Sequence, residues 1–398
     1  MEEINKRFRP AGHYDIVIIG GGPVGMALAL ALIDTGISCL LLEARGLTDK
    51  SEDPRPLALS YGSHLILQRL NVWNSLVSHT PITTIHISNR GSFGLTILTP
   101  EQAGVPTLGF VVNYHDLNVA MHNKLTEHKN NYASGAIVTR LDVNDKEGTV
   151  YFDYQGKEEK TTAKLLVLAD GGQLAKQIPD ITYQTYDYHQ WAVVANVKAD
   201  IKQSGIAYER FTSNGPIALL PHQEDFALVW TVTPETAKEI TALNDESFLA
   251  RLYQHFGDRL GKFIATGKRS AFPLMLKYAT PTISHRIALI GNAAQTLHPV
   301  AGQGFNLGLR DAYELANEII STQRACSEIG TSGMLSRFHR KRQIDSYAGR
   351  IFTDSLVKLF TNESKIVKQA CGFGLSILDC MPPLKRFVSR RMIFGARG

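Results

Sequence analysis

The sequence predicts an α/β protein: a Rossmann-like, dinucleotide-binding parallel sheet with a second, mainly antiparallel sheet inserted into it and a helical C-terminus. Three observations carry this. One complete strand–helix–strand unit surrounds a glycine-rich turn near the N-terminus. Between Tyr183 and Phe272 the texture changes to short β-like runs with interspersed aromatics, and buried-strand texture returns only at Ile287. Beyond Asp311 the chain reads as helix almost to its end.

Tyr14–Ile19 (YDIVII) is a β-branched run suited to a strand buried on both faces. Gly20-Gly21-Gly22-Pro23-Val24-Gly25 follows at once and contains G-x-G-x-x-G. Met26–Thr35 reads as an apolar helix closing before Gly36, a candidate C-cap. Cys39–Leu42 is a second strand and ends at Glu43, 18 residues after Gly25. In such a unit Gly20 makes the tight turn, Gly22 admits a pyrophosphate and Gly25 lets helix and strand pack closely. Glu43 is placed to accept from a ribose hydroxyl. The motif points to an adenine dinucleotide and does not choose between FAD and NAD.

After a short polar extension (Met1–His13) and this unit, a polar loop (Thr48–Pro54) leads to Arg55, either a solvated loop arginine or a cation near the dinucleotide. A helix is expected through Leu65–Val72. Ile82–Ile87 and Leu95–Leu98 flank Asn89-Arg90-Gly91-Ser92 and read as a hairpin. Residues 117–128 read as helix, and Gly135–Val143 and Thr149–Tyr154 as strands. Leu165–Ala169 is another buried strand, stopping at Asp170-Gly171-Gly172. An acid and glycines at a parallel strand's carboxyl end lie where open α/β sheets bind ligands, with a plain turn as the alternative. The inserted sheet carries one helical segment, Asp245–Phe256. The expected partition has a dinucleotide-binding domain in three parts (1–80, 106–180, 276–330). A hairpin (81–105) and a sheet (181–275) form a second domain, and 331–398 a helical C-terminal region.

The longest landmark is Ile287–Asp311. A strand (Ile287–Ile290) breaks at Gly291-Asn292, crosses Ala293-Ala294 to His298-Pro299, and meets Gly302, Gly304 and Gly308 with a helix starting near Phe305. Leu307, Leu309, Tyr313, Ala316 and Ile320 recur at near-helical spacing, with Arg310 and Glu314 one turn apart. Glycines ahead of a helix start let backbone N–H groups approach a flat, electron-rich or anionic group. A glycine-punctuated turn without a ligand is the alternative.

Composition excludes several classes. The chain has 398 residues, 44% hydrophobic and 20% charged, with net charge +5. No long basic run or interleaved aromatic stripe supports nucleic-acid binding. Cys39, Cys326, Cys371 and Cys380 show no CxxC, which fits reduced thiols in a reducing compartment. The histidines form no HExxH pattern, so no metal site is expected. No apolar run reaches spanning length and no signal-peptide pattern is present, so a cytoplasmic protein is expected. Met381–Gly398 carries five basic residues and no acid. It reads either as a packed terminal helix or as a contact with anionic lipid at the inner face of the cytoplasmic membrane.

GGGPVG with Glu43, LADGG at Leu168–Gly172, and GNAAQTLHPVAGQGFNLGLRD at Gly291–Asp311 stand in a fixed order. This order resembles the single-component FAD-dependent aromatic hydroxylases of the 4-hydroxybenzoate hydroxylase fold, over nearly the whole chain. ERF (Glu209–Phe211), GPIALLP (Gly215–Pro221), LVW (Leu228–Trp230) and GKRSAFPL (Gly267–Leu274) narrow the likeness to the ubiquinone-biosynthesis branch, nearest its 2-polyprenyl-6-methoxyphenol hydroxylases.

The resemblance implies FAD held by Gly20, Gly22, Gly25 and Glu43, with Arg55 near the flavin and Asp170-Gly171 serving the pyrophosphate and a transient nicotinamide. Asn292, Gly302, Gln303, Gly304 and Asn306 would belong to the same cofactor site. Pro299 with Gly302–Gly304 would line the flavin's reactive edge. It also implies the cycle: NAD(P)H as visiting co-substrate reduces FAD, O2 adds at C4a, and the hydroperoxide hydroxylates a polyprenyl phenol. His298 and Tyr208 are candidate bases by residue type only. This chain departs from many relatives at Asn292 and Gln295, where aspartate and histidine are usual, and after Gly171, where GQLAKQ lacks the usual serine and arginine. The residues also leave two other functions open: a prenyl-chain reductase on the same fold, and a flavin-binding scaffold of a ubiquinone-biosynthesis complex.

Overall fold

The structure, a computed structural model, describes residues 12–46, 56–91, 93–128, 131–362 and 364–397. Most of the N-terminal extension, the Thr48–Pro54 loop, Arg55 and Ser92 lie outside the described residues.

His13–Ile19 is a central strand of the first sheet, parallel to Lys157–Leu168 on one side and Cys39–Glu43 on the other. Its side chains alternate between two apolar clusters, Ile16 and Ile18 in one and Val17 and Ile19 in the other. That is why a continuous β-branched run serves here. Asn131–Ser134 extends the sheet beyond Cys39–Glu43, and Ile287–Leu289 lies parallel to Lys157–Leu168. Ile19 is level with Leu42 and Leu168, and Leu168 with Leu289. The turns after these strands, at Gly20, Glu43, Asp170 and Gly291, therefore share one edge of the sheet.

The helix expected over Met26–Thr35 runs instead over Pro23–Ala31. Proline fits its first position, where no N–H is needed. At the far end the Leu32 N–H turns to Ala29 and Leu30, and Asp34 takes a positive φ of 58° two residues before Gly36. The cap is Leu32, and Gly36 belongs to the turn that follows.

The second sheet has nine strands among the described residues, with Thr182–Ala199 at its centre between Ser270–Thr280 and Asp225–Val232. Ile206–Phe211 pairs parallel to Thr84–Asn89, which forms the expected hairpin with Leu95–Leu98. One face packs Trp230 and Leu228 against two helices, Pro234–Ala242 and Asp245–Phe256. The first of these was not anticipated: only Ala237 and Ile240 are buried along it, too few to stand out as a period. The other face looks toward the C-terminal helices. A three-stranded sheet (Pro56–Ser60, Gly109–Asn113, Thr80–Ile82) lies beside it.

Four helices complete the chain: Gln303–Arg324, Ser332–Phe360, Lys365–Cys380 and Pro382–Phe394, the last two separated by the Pro382-Pro383 break. No described helix is long and apolar enough to cross a membrane.

Candidate active site

The landmarks meet at the carboxyl edge of the parallel sheet. Gly20 has φ +112°, and a Cβ there would lie 2.5 Å from the Ala169 carbonyl. At Gly25 a Cβ would lie 2.0 Å from the Gly20 oxygen. These two glycines let helix and turn close on the sheet. Gly22 is the opposite case: it has φ −70°, and a Cβ would meet nothing within 4 Å. It faces open space at the start of Pro23–Ala31, a helix with no side-chain cap and no acid in its first turn. The first N–H groups of that helix are left for an anion.

Glu43 is nearly buried. One carboxylate oxygen accepts the Gly21 N–H at 2.6 Å, and the other accepts the Arg45 N–H at 3.0 Å and its Nε at 2.8 Å. The residue expected to meet a ribose thus also ties the glycine turn to the second strand. Asp170 accepts the Gly172 and Leu174 N–H groups, both at 2.9 Å, which shapes the turn and leaves Gly171 with open space around it.

Tyr183 belongs to no motif legible in the sequence. Its hydroxyl lies against Gly172 and donates to the Ala293 carbonyl at 2.7 Å, joining the second landmark to the third. Burial, helped by the Asp170 charge, pushes this hydroxyl up to about 12, so it remains a donor at neutral pH. Lys277 sits over its ring at 4.2 Å.

In the third landmark, Gly291 and Gly308 both pack on Val24, and the Gly291 N–H donates to Asp311 at 3.1 Å. Asn292 is exposed at this turn, whereas Gln295 is buried and donates to the Ser346 hydroxyl at 3.2 Å. Pro299 is half-buried and its carbonyl accepts the Gly302 N–H at 2.9 Å. Gly302, at φ +59°, caps the Gln303–Arg324 helix, and Gly304 has open space where a side chain would be. Asn306 uses all four of its hydrogen-bonding positions within the protein. Its oxygen accepts from the Ser60 N–H (2.8 Å) and the Ser63 hydroxyl (2.7 Å), and its amide donates to the Ala58 (2.9 Å) and Gly302 (2.6 Å) carbonyls. Its side chain therefore holds the Pro56–Ser60 strand to the glycine turn and is spent on the fold.

Neither candidate base is placed for that task. His298 is fully buried, and its Nδ1 accepts the Val300 N–H at 3.2 Å. The proton then sits on Nε2, which has no partner among the described residues. Burial pushes this imidazole down to about 4, so it stays a neutral donor, edge-on to Tyr188. Tyr208 lies on the far face of the large sheet among Phe226 and Phe256, with its hydroxyl on Gln203. Arg55 lies outside the described residues.

An apolar cleft, partly open to solvent, lies between the glycine turn, the large sheet and the last helix. Ala58, Ile85, Leu108, Gln303, Met392 and Ile393 are among its walls, which are mainly apolar. The Gln303 amide donates to the Met392 carbonyl at 3.4 Å, so the last helix is fastened to the glycine turn. Arg310, expected to pair with Glu314, has its Nε 3.1 Å from Asp345.

The site therefore has an open cradle at an uncapped helix start, an acid at the neighbouring strand end, two further open glycines and an exposed amide at Asn292. These features fit a dinucleotide held along the sheet edge.

Residues 13–344 match the family described as "FAD binding domain". The chain is 32% identical over 383 residues to the ubiquinone hydroxylase UbiL of Rhodospirillum rubrum, covering 94% of this chain and 88% of that one. It is 30% identical over 393 residues to the ubiquinone hydroxylase UbiM of Neisseria meningitidis, covering 96% and 84%. The solved structure of the p-nitrophenol 4-monooxygenase PnpA of Pseudomonas putida superposes with a TM-score of 0.79 at 16% identity, covering 98% of this chain and all of that one. That likeness speaks for the fold. The chain belongs to the FAD-binding aromatic monooxygenases, in the branch of the ubiquinone-biosynthesis hydroxylases.

Proposed function

We propose that this hydroxylase acts on the aromatic ring of a polyprenyl methoxyphenol, with NAD(P)H and O2 as co-substrates. The observation that supports this most directly is the apolar cavity between Gln303 and the large sheet. It suits a weakly polar, alkyl-bearing ring and has few groups to hold water. When bound, FAD carries electrons from NAD(P)H to O2 and delivers one oxygen atom to the ring. The chain's part is to bind, orient and exclude. Gly22 and the N–H groups after it would hold the pyrophosphate, Glu43 a ribose, and Asn292 a ribityl hydroxyl. Pro299, Gly302 and Gly304 would set the flavin's edge against the cavity, whose apolar walls keep water from the oxygen-transfer step.

A prenylated substrate also calls for access to lipid. Ile366, Phe373 and Ile377 on one helix and Leu384 and Phe387 on the next are exposed. Arg386 is exposed among them, and Arg391 lies 5.5 Å from the Phe387 ring. We assign this outer face a peripheral contact with anionic lipid, where other proteins of ubiquinone biosynthesis would also be met.

The test is mass spectrometry of prenylated phenols and quinones in cells lacking the gene, then carrying it back as wild type or Gly22→Glu. Gly22 has room and an ordinary φ, so the glutamate fits the fold while placing negative charge in the pyrophosphate cradle. Accumulation of the polyprenyl methoxyphenol, reversed by wild type alone, is the expected result. Unchanged ubiquinone with no accumulated phenol would remove this substrate.

A further inference from the structure

We infer that Glu209 is the group that takes the phenolic proton of the ring substrate, an assignment that rests on the function proposed above. Glu209 lies in Ile206–Phe211, where it is level with Ala218 on one neighbouring strand and Ile87 on the other. Its neighbours in sequence, Tyr208 and Arg210, are level with Leu219 and Ile217, which pack toward the helix pair Pro234–Ala242 and Asp245–Phe256. Alternation along the strand puts Glu209 on the opposite face, with Ala207 and Phe211.

That face is the one turned toward the cavity. Ala207 joins Leu108, Val111 and Ile393 in one apolar cluster, and Ile85, level with Ala207, lines the cavity itself. On its other side Phe211 stacks on Phe360 with ring centroids 3.9 Å apart. Glu209 thus interrupts an apolar wall between two hydrophobic patches. It is deeply enclosed, yet part of its surface remains accessible, and it stands two residues along the strand from Ala207, beside the cavity rather than among the residues that line it. No hydrogen bond or ion pair reaches it from the described residues.

A carboxylate in such a place is costly unless it holds a proton or meets a donor. Burial alone pushes its carboxyl up to about 7, the range in which a carboxylate serves as a base at neutral pH. A phenol O–H entering the cavity is a donor of the right kind. In the step assigned here, the phenolic O–H bond breaks and a new O–H bond forms on the Glu209 carboxylate. The phenol oxygen keeps the electron pair, which is shared with the ring carbons ortho and para to it and readies them for an electrophilic oxygen atom. O2 supplies that atom and NAD(P)H the two electrons, as in the proposed reaction. Glu209 returns its proton to water as product leaves.

The test uses the full-length, FAD-loaded protein with 2-methoxy-6-prenylphenol and its O-methyl ether, which has no proton to lose. Glu209→Gln should lower kcat for the phenol by roughly 10²- to 10⁴-fold and abolish the rise of kcat through about pH 7. KM and FAD content should hold, and NAD(P)H oxidation should continue without ring product. Glu209→Asp should recover part of the rate with the pH limb. Calorimetry at pH 6.5 supplies a readout without turnover: phenol binding should release protons to buffer in the wild type and not in Glu209→Gln, and the ether should release none in either. A Gln variant that keeps kcat, the pH limb and the proton release would overturn the assignment. So would one that loses activity only together with FAD and thermal stability. A wild type that hydroxylates no ring phenol would instead remove the proposed function, a distinguishable failure.

Discussion

Arg342 donates from Nε to Asp311 at 2.7 Å, while the other oxygen of Asp311 accepts the Gly291 N–H at 3.1 Å. A guanidinium on the Ser332–Phe360 helix thereby holds the carboxylate that shapes the third glycine turn. The same guanidinium donates to Asp345 at 2.6 Å, and Asp345 accepts the Ala396 N–H at 2.9 Å. One buried charge network runs from the sheet edge to the end of the chain. Removing one partner leaves the other charge buried and unpaired. Arg342→Met should therefore cost about 3–5 kcal/mol of stability, with FAD retention falling alongside it. Urea unfolding with and without added FAD reads both. Arg342→Met combined with Asp311→Asn should recover part of the loss, and no recovery would mean that the charge pairing is not the cause.

Gly22 and Gly25 stand three residues apart and make opposite predictions. A Cβ at Gly25 collides with the Gly20 carbonyl, whereas one at Gly22 enters open space. Gly25→Ala should destabilise the flavin-free protein by roughly 1–3 kcal/mol, as overpacking against backbone does. Gly22→Ala should leave that stability within about 0.5 kcal/mol and weaken FAD binding instead. Equal effects on the apoprotein would show that the space at Gly22 is not a ligand cradle.

These glycines were legible in the sequence because the constraint is local: a turn between a strand and a helix admits few residue types, and the spacing repeats the geometry. The same holds for the β-branched run before them and for the break at Pro382-Pro383. What was not legible depends on partners far along the chain. Asn306 reads as one more polar residue of a flavin motif, and only the fold shows its amide spent on Ala58 and Ser60. Arg310 has an acid one turn away in sequence but finds Asp345 on another helix. Glu209 was visible as part of a family motif, yet its lack of a partner among the described residues appears only when two sheet neighbours and the face they share are known.

Asn306 is 2% exposed and satisfies two carbonyls and two donors. Replacing it by leucine leaves those groups buried without partners, each costing about 1–3 kcal/mol. Since a leucine still fills the space and some groups can re-pair, a loss of roughly 3 kcal/mol is expected. The decisive measurement is unfolding without flavin. A loss seen only with FAD present would return Asn306 to the cofactor's side of the account.

His298 makes a prediction in pH. Its folded-state value is pushed from 6.5 down to about 4 by burial. As pH falls below about 6.5 the unfolded chain takes the proton first, so stability is whole above that point. It should decline by about 1.4 kcal/mol per pH unit down to about pH 4. Below that both states are protonated and the loss stops. His298→Asn keeps an acceptor for the Val300 N–H and has nothing to titrate. The difference in stability between the two proteins, measured by denaturant unfolding at several pH values, should therefore follow this slope and nothing else. Parallel curves for wild type and variant across pH 4–6.5 would show that the buried imidazole is charged or solvated after all.

The outer face of the last two helices gives the final prediction. Phe373 is 61% exposed and Phe387 57% exposed, far from the normal burial of such rings. Burying each in an apolar environment is worth about 1.5–3 kcal/mol, enough to matter for a peripheral contact. Phe373→Asp and Phe387→Asp should each weaken sedimentation with phosphatidylglycerol vesicles by roughly tenfold or more. Arg386→Ala should weaken it less, by the order of 1 kcal/mol assigned to one basic residue near an anionic surface, and only at low salt. Because these side chains lie on the outside, stability and FAD content should not change. Binding that survives both aspartate variants would place the route to the proposed prenylated substrate elsewhere, and would leave this face free for a protein partner to cover.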